Sequence, residues 1–345
     1  MEEDAMNTPH PLQPLWNLAT AQVQAEALVL ALESGALDRL AEPHTPGALA
    51  QALGWHAPNT ALWLELLWSM GVLERDASSY RLSAFAQRYL HGDSPQNCGG
   101  AWLFRLRSLR RASSLMQGQL EHGPQGDGQA APLLPAAAEG WATAARAQIG
   151  QEQRAVSVPA ALAVLQQVPE AAAAHRLLDL GGGPGWIALA LLQARPALHA
   201  TVFDWPEAVA VAAQNALEAG LFDRFTALGG DLAQGGIGAD YDLVWCSSVL
   251  HFVPDAAAAV AKVFAALAPG GVFVCAHAEV PDAPAEALRV LPYYLPMRLL
   301  GRRVTRRGEL RALLAQAGFI HIEEMQSPAF PMAPLGVLVA RRPAA

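Results

Sequence analysis

Leu177-Leu178-Asp179-Leu180-Gly181-Gly182-Gly183-Pro184-Gly185 sets an apolar run directly against a glycine-rich turn, and Trp186-Ile187-Ala188-Leu189-Ala190-Leu191-Leu192 then opens a helical stretch. A buried strand, a turn of glycines and a helix, in that order, mark the first strand of an open α/β sheet, at whose carboxyl edge ligands bind. Glycine lets the backbone approach a ligand with no side chain in the way. Asp179, an acidic residue at the strand end, is placed to receive a positively charged amine. One strand later, Ala200-Thr201-Val202-Phe203-Asp204 ends in a carboxylate. That carboxylate lies about twenty residues past the glycines, where a ribose-bearing cofactor needs acceptors for its hydroxyls.

Beyond the turn, apolar runs keep alternating with helical stretches: EAVAVAAQNALEAG, FTALGGD, YDLVWCSSVL, AAAAVAKVFAAL and GVFVCAHAEV. The alternation predicts a Rossmann-like α/β fold, a parallel sheet with helices on both faces. The tail departs from it. A helix over Glu309–Gly318 is followed by two strands, FIHIEEM and LGVLVARR, with only a Pro-rich connection between them, which implies an antiparallel addition at the sheet edge.

Upstream, a mostly helical pattern runs from Pro14 to about Leu90, broken by Gly54 and Pro58, and Val72–Leu82 alternates around a polar turn as a small hairpin would. Helix, turn, helix and hairpin outline a winged helix. Between Leu12 and Leu90 its basic residues are Arg39, Arg75, Arg81 and Arg88, outnumbered by acidic ones, so the electrostatic footprint of a DNA reader is missing and a dimerisation role fits better. The segmentation is a winged-helix-like dimerisation domain over 12–95, a helical linker over 96–154 and a cofactor-binding domain over 155–345. A net charge of −8 over 345 residues disfavours nucleic acid as partner. Cys98, Cys246 and Cys275 lack metal or disulfide spacing. The acidic Met1–His10 segment is unlike a secretory signal, and no uncharged apolar stretch is long enough for a bilayer, so a cytoplasmic protein without membrane partners is expected.

The glycine turn alone does not choose among NAD, FAD and S-adenosylmethionine enzymes. The ordered set DLGGGPG, FDWPEAV, Gly229-Gly230-Asp231, YDLVWCSSVLHFVPD and LAPGG at 267–271 resembles the class I methyltransferases. With the winged-helix-like segment included, nearly the whole chain is similar to the small-molecule O-methyltransferases related to caffeic acid, hydroxyneurosporene and acetylserotonin methyltransferases. The resemblance implies S-adenosyl-L-methionine as cofactor, with Gly181, Gly183 and Asp204 contacting it and Asp231 with Leu232 bordering the adenine. It implies a homodimer built by the N-terminal half, with the 96–154 linker contributing to the substrate cavity and 155–345 as the catalytic domain. Ser247 stands where many bacterial members carry a lysine in the cofactor pocket.

The expected chemistry is methyl transfer to a hydroxyl of a small, aromatic secondary metabolite. His251, after the strand YDLVWCSSVL, is the candidate general base and matches the family's catalytic histidine. Plant members orient that histidine with an acidic residue at the next strand end. Here His277 stands there, with Glu279 two residues beyond, and either is a candidate partner. A second acidic position of the family falls on Arg303. Together with Arg302, Arg306 and Arg307, it has two readings: a clamp for an acceptor carboxylate, or solvated surface charge. Trp102, Phe104, Tyr293, Tyr294 and Met297 are candidates to line an aromatic cavity, or ordinary core. No metal site is assigned, since His251 and His277 find no convincing third ligand beyond Glu279. The competing readings are N- or C-methylation by positioning, with or without a metal; a non-catalytic methyltransferase-fold scaffold; and a nicotinamide-dependent dehydrogenase, which the absence of G-x-G-x-x-G spacing opposes.

Overall fold

A computed structural model describes residues 9–124, 142–143, 145–327, 329–330 and 335–344. Residues 125–141 and 144 of the expected linker lie outside the described residues. The chain forms two compact units that divide between Leu106 and Arg107, inside the long helix Gly99–His122.

In the first unit, helices Gln13–Glu33, Ala36–Arg39, Pro46–Leu53 and Ala57–Ser69 precede a hairpin of β1 (Leu73–Asp76) and β2 (Ser79–Leu82). Local chemistry sets the boundaries. The Thr45 hydroxyl accepts from the Ala48 amide to start one helix, and Gly54 ends it in the left-handed conformation. Leu37, Leu40, Leu49, Leu64, Leu67, Val72 and Leu82 close the core of this unit. Leu12, Leu15, Trp16, Leu18 and Val23, on or beside the first helix, are exposed.

The second unit holds a seven-stranded sheet, in the order β5 (Phe225–Gly229), β4 (His199–Asp204), β3 (Arg176–Leu180), β6 (Tyr241–Ser247), β7 (Leu267–His277), β9 (Leu335–Arg341) and β8 (Ile320–Ser327). Strands β3 to β7 are parallel, while β9 runs antiparallel to both β7 and β8. The Rossmann-like sheet with antiparallel strands at one edge is therefore as the sequence predicts. Side chains divide cleanly between two faces, as the period of two in a strand requires. Leu177, Leu243, Trp245, Val272, Val274 and Ala276 face helices Val158–Leu165, Trp186–Ala194 and Pro284–Leu299. Leu178, Val244, Cys246, Phe273 and Cys275 face helices Ala256–Ala266 and Glu309–Gln316. Cys98, Cys246 and Cys275 are all buried, and none is in a disulfide. Among the described residues, no helix is long and apolar enough to cross a membrane.

Candidate active site

The carboxyl ends of the five parallel strands share one edge, and the glycine turn, Asp204, Asp231 and His251 follow there, whereas LAPGG opens β7 at the opposite edge. After β3 the chain turns through Gly181, Gly183 and Gly185, all with positive φ. At Gly181 the demand is strict: φ is +68°, and an added Cβ would lie 2.3 Å from Cγ2 of Val249. The loop leading to His251 thus packs directly on the glycine turn.

Asp204, at the end of β4, ties the turn to its neighbour. Its Oδ2 accepts from the Gly183 amide at 2.8 Å and its Oδ1 from the Trp205 amide at 2.7 Å. Each oxygen retains a lone pair for a further donor. Desolvation raises the Asp204 pKa against the pull of those two amides. Asp179 is fully buried beneath the turn, where it accepts from the Ala188 amide at 3.3 Å. Burial pushes its carboxyl up to about 7, with a smaller contribution from the Asp204 charge. A Cβ on Gly182 would meet the Asp179 carboxyl carbon at 2.7 Å, so the turn can close over this acid only with glycine there.

Two side chains that hold these loops, Gln153 at the glycine turn and Lys262 after β5, are invisible in the sequence patterns. Gln153 lies in a stretch of wide, π-helical turns, Ala145–Ile149 and Gln153–Ser157, that flank the short helix Gly150–Glu152. Its Nε2 donates to Gly182 O at 3.0 Å, while its Oε1 accepts from the Trp186 amide at 3.2 Å. Arg154 stacks over the Trp186 ring at 4.9 Å. π-Helical turns concentrate at functional sites because they re-aim side chains out of regular helical register.

The second holder is Lys262, the one lysine of the chain. From helix Ala256–Ala266 its Nζ donates to Leu232 O, Ala233 O and Gly235 O at 2.7, 3.1 and 3.0 Å. Asp231 Oδ1 accepts from the Ala233 amide at 2.8 Å within the same loop. The Asp231-Leu232 corner after β5 is therefore pinned, with Leu232 buried. A charged donor satisfying three carbonyls is among the stronger restraints available to a loop.

Ser247 is half-buried at the end of β6, and Ser248 adopts a left-handed backbone with φ +57°. His251 follows, buried against three rings: Phe252 at 4.1 Å, His277 at 5.4 Å and 27° to its plane, and Tyr294 edge-on at 5.4 Å. Nδ1 of His251 and both ring nitrogens of His277 are sealed, with no hydrogen-bond partner among the described residues. Burial holds the His277 imidazole down at about 4. His251 lies well below its ordinary value, through burial first and then the charges of His277 and Arg302.

Glu279 sits elsewhere. Its carboxylate accepts from the Gly308 and Leu310 amides at 3.2 and 3.0 Å, capping helix Glu309–Gln316. Of the two candidate partners of His251, the structure brings only His277 to it. Arg303 is ion-paired with Glu309. Tyr293 is half-buried, whereas Tyr294 and Met297 are buried in the core cluster on that sheet face. Trp102 and Phe104 are half-buried on helix Gly99–His122, in the first unit.

Comparison with known proteins matches residues 142–320 to the O-methyltransferase domain family model. The chain is 30% identical to the N,N-dimethyltransferase OxyT of Streptomyces rimosus, over 77% of this chain and 80% of that one. It is 29% identical to the tetracenomycin polyketide synthesis 8-O-methyl transferase TcmO of Streptomyces glaucescens, over 88% and 90%. Human N-acetylserotonin methyltransferase, solved in complex with SAM, superposes with a TM-score of 0.77 at 22% identity, covering 98% of this chain and 99% of that one. The glycine turn, the carboxylate after it and the histidine loop packed upon it thus stand in a chain whose sequence matches the same family, and the chain belongs to the O-methyltransferase domain family.

Proposed function

We propose that this enzyme transfers a methyl group from S-adenosylmethionine to a hydroxyl of a small aromatic metabolite, with His251 as the base. The observation that carries the assignment is the seating of Val249 on Gly181, which places the histidine loop against the cofactor turn.

The residues present fit the cofactor. Asp204 keeps lone pairs for ribose hydroxyls, Gly181 and Gly183 leave the backbone bare, the Asp231-Leu232 corner is fixed for an adenine, and Asp179 supplies a carboxyl below the turn for a cationic amine. When bound, the cofactor supplies an electrophilic methyl on a sulfonium, so the protein's work is to hold the acceptor in line, dry and deprotonated. With Nδ1 of His251 sealed, Nε2 is the nitrogen that takes the acceptor's proton. His277 and Tyr294 fix the ring plane, and Tyr293 lines the acceptor side. The exposed apolar row from Leu12 to Val23 supports burial against a second copy, giving a homodimer.

Calorimetric titration with S-adenosylhomocysteine and, separately, NAD tests the cofactor assignment. Binding of the first alone, lost in Asp204→Ala, is expected; binding of NAD alone overturns it. With an identified hydroxyl acceptor, His251→Ala is expected to lose turnover while retaining S-adenosylhomocysteine affinity, and full turnover removes the base. Methylation of nitrogen or carbon by positioning is the second reading. It is favoured by the lack of a carboxylate partner for His251 among the described residues, and fragment mass spectra of the product separate the two.

A further inference from the structure

Five arginines cluster between Arg298 and Arg307, and the structure divides them into two groups. Arg303, Arg306 and Arg307 each face an acid: Glu309, Asp282 at 4.0 Å and Glu286 at 2.9 Å respectively. Arg298 and Arg302 face none among the described residues. Arg302 instead donates from Nη1 to the carbonyl of Phe252 at 2.9 Å, one residue from the candidate base.

These two uncompensated guanidiniums line a cleft of about 540 Å³, together with Leu295, Leu299, Val304 and the paired Arg303. That volume is ordinary for a small-molecule site, and the lining has the amphipathic character of one that takes an apolar body with an acidic end. A guanidinium with no carboxylate partner, set in apolar walls, is an open anion receptor.

On the methyltransferase reading given above, we propose that this cleft receives the acidic group of the methyl acceptor, so that the acceptor is a flat, apolar molecule bearing a carboxylate or comparably ionised oxygen. The positive charge of Arg302 opposes proton gain at His251. An acceptor carboxylate between Arg298 and Arg302 offsets that charge, the smallest of the three causes that hold His251 low after burial and His277, so one contact both anchors the substrate and eases proton gain at the base beside it. Among the described residues no carboxylate does this: Glu279 is held at a helix terminus and Glu309 is paired with Arg303.

The test is calorimetry on the protein first saturated with S-adenosylhomocysteine, titrated with 1-naphthoate and with 1-naphthol. Naphthoate is expected to bind about tenfold more tightly, the scale of two partly exposed ion pairs. The preference is expected to vanish in Arg298→Gln/Arg302→Gln and to persist in Arg289→Gln, a change on the same helix outside the cleft. Unchanged S-adenosylhomocysteine affinity in the double variant shows that it is folded. Equal or tighter naphthol binding, no saturable naphthoate binding, or a preference that survives the double substitution overturns the proposal and leaves the cofactor assignment intact. Failure of the wild-type protein to bind S-adenosylhomocysteine overturns the methyltransferase reading itself.

Discussion

Replacing Asp179 with asparagine tests the electrostatics under the glycine turn. The carboxyl is sealed in the fold with its pKa raised from 3.8 to about 7. Between those values an unfolded chain has released the proton while the native protein still holds it, so raising the pH favours unfolding. Above 7 both forms are ionised and the slope ends. The whole interval corresponds to about 4 kcal/mol, and the part between pH 5 and pH 7 to about 3 kcal/mol, at 1.36 kcal/mol per unit. Asparagine does not titrate. Any fixed cost of its extra amide hydrogens is the same at both pH values, so the Asp179→Asn variant should gain about 3 kcal/mol relative to wild type between pH 5 and pH 8. Urea unfolding of both proteins at the two pH values measures that gain directly. Saturating S-adenosylhomocysteine, whose amine is cationic, should shrink it by stabilising the ionised carboxylate. A stability difference that is the same at pH 5 and pH 8 would show that Asp179 ionises as it does in water and would refute the account.

The opposite pH dependence is expected from His277. Its pKa falls from 6.5 to about 4, so stability is full above the unfolded value and is lost as the pH drops toward the folded one. His277→Gln should remove about 3 kcal/mol of that acid-induced loss, read by the same unfolding assay. Lys262→Met strips three carbonyls of their donor and should weaken S-adenosylhomocysteine binding about tenfold while speeding amide exchange over 231–236, with Lys262→Arg restoring part of both. Unaltered affinity would remove the loop from the cofactor site. Gly181→Ala combines a left-handed backbone with a 2.3 Å encounter at Val249, so it should abolish cofactor binding. Val249→Ala in the same chain should recover a measurable part of it by clearing the side-chain clash, and no recovery would place the whole cost in the backbone.

Much of the second unit was legible from the sequence because its signals are local. A strand that ends in DLGGGPG needs positive φ at fixed positions, and strands and helices that alternate along the chain must form a parallel sheet. The carboxylate of Asp204 was found by its distance from the glycines. Glu279 was not, because its proximity to His277 along the chain says nothing of direction. The strand ends at His277, so its alternation no longer fixes the side to which Glu279 points, and the carboxylate turns to the amides of Gly308 and Leu310 at the start of the next helix. Gln153 and Lys262 were missed for a related reason. Each lies about thirty residues from the backbone it holds, and side chain to backbone bonds leave no pattern in composition or periodicity. The arginines show both limits at once: their clustering was plain, but which of them lacked an acid depended on the three-dimensional placing of Glu309, Asp282 and Glu286.

The three carbonyls around Lys262 also make this molecule convenient to interrogate chemically. An amine-directed acylating reagent has one side-chain target in the entire sequence, and that amine is tied into the loop beside the proposed adenine pocket. Its rate of acylation therefore measures how often the loop releases it. A mass shift at a single residue thus reports opening of the site, with no engineered label and no knowledge of the acceptor.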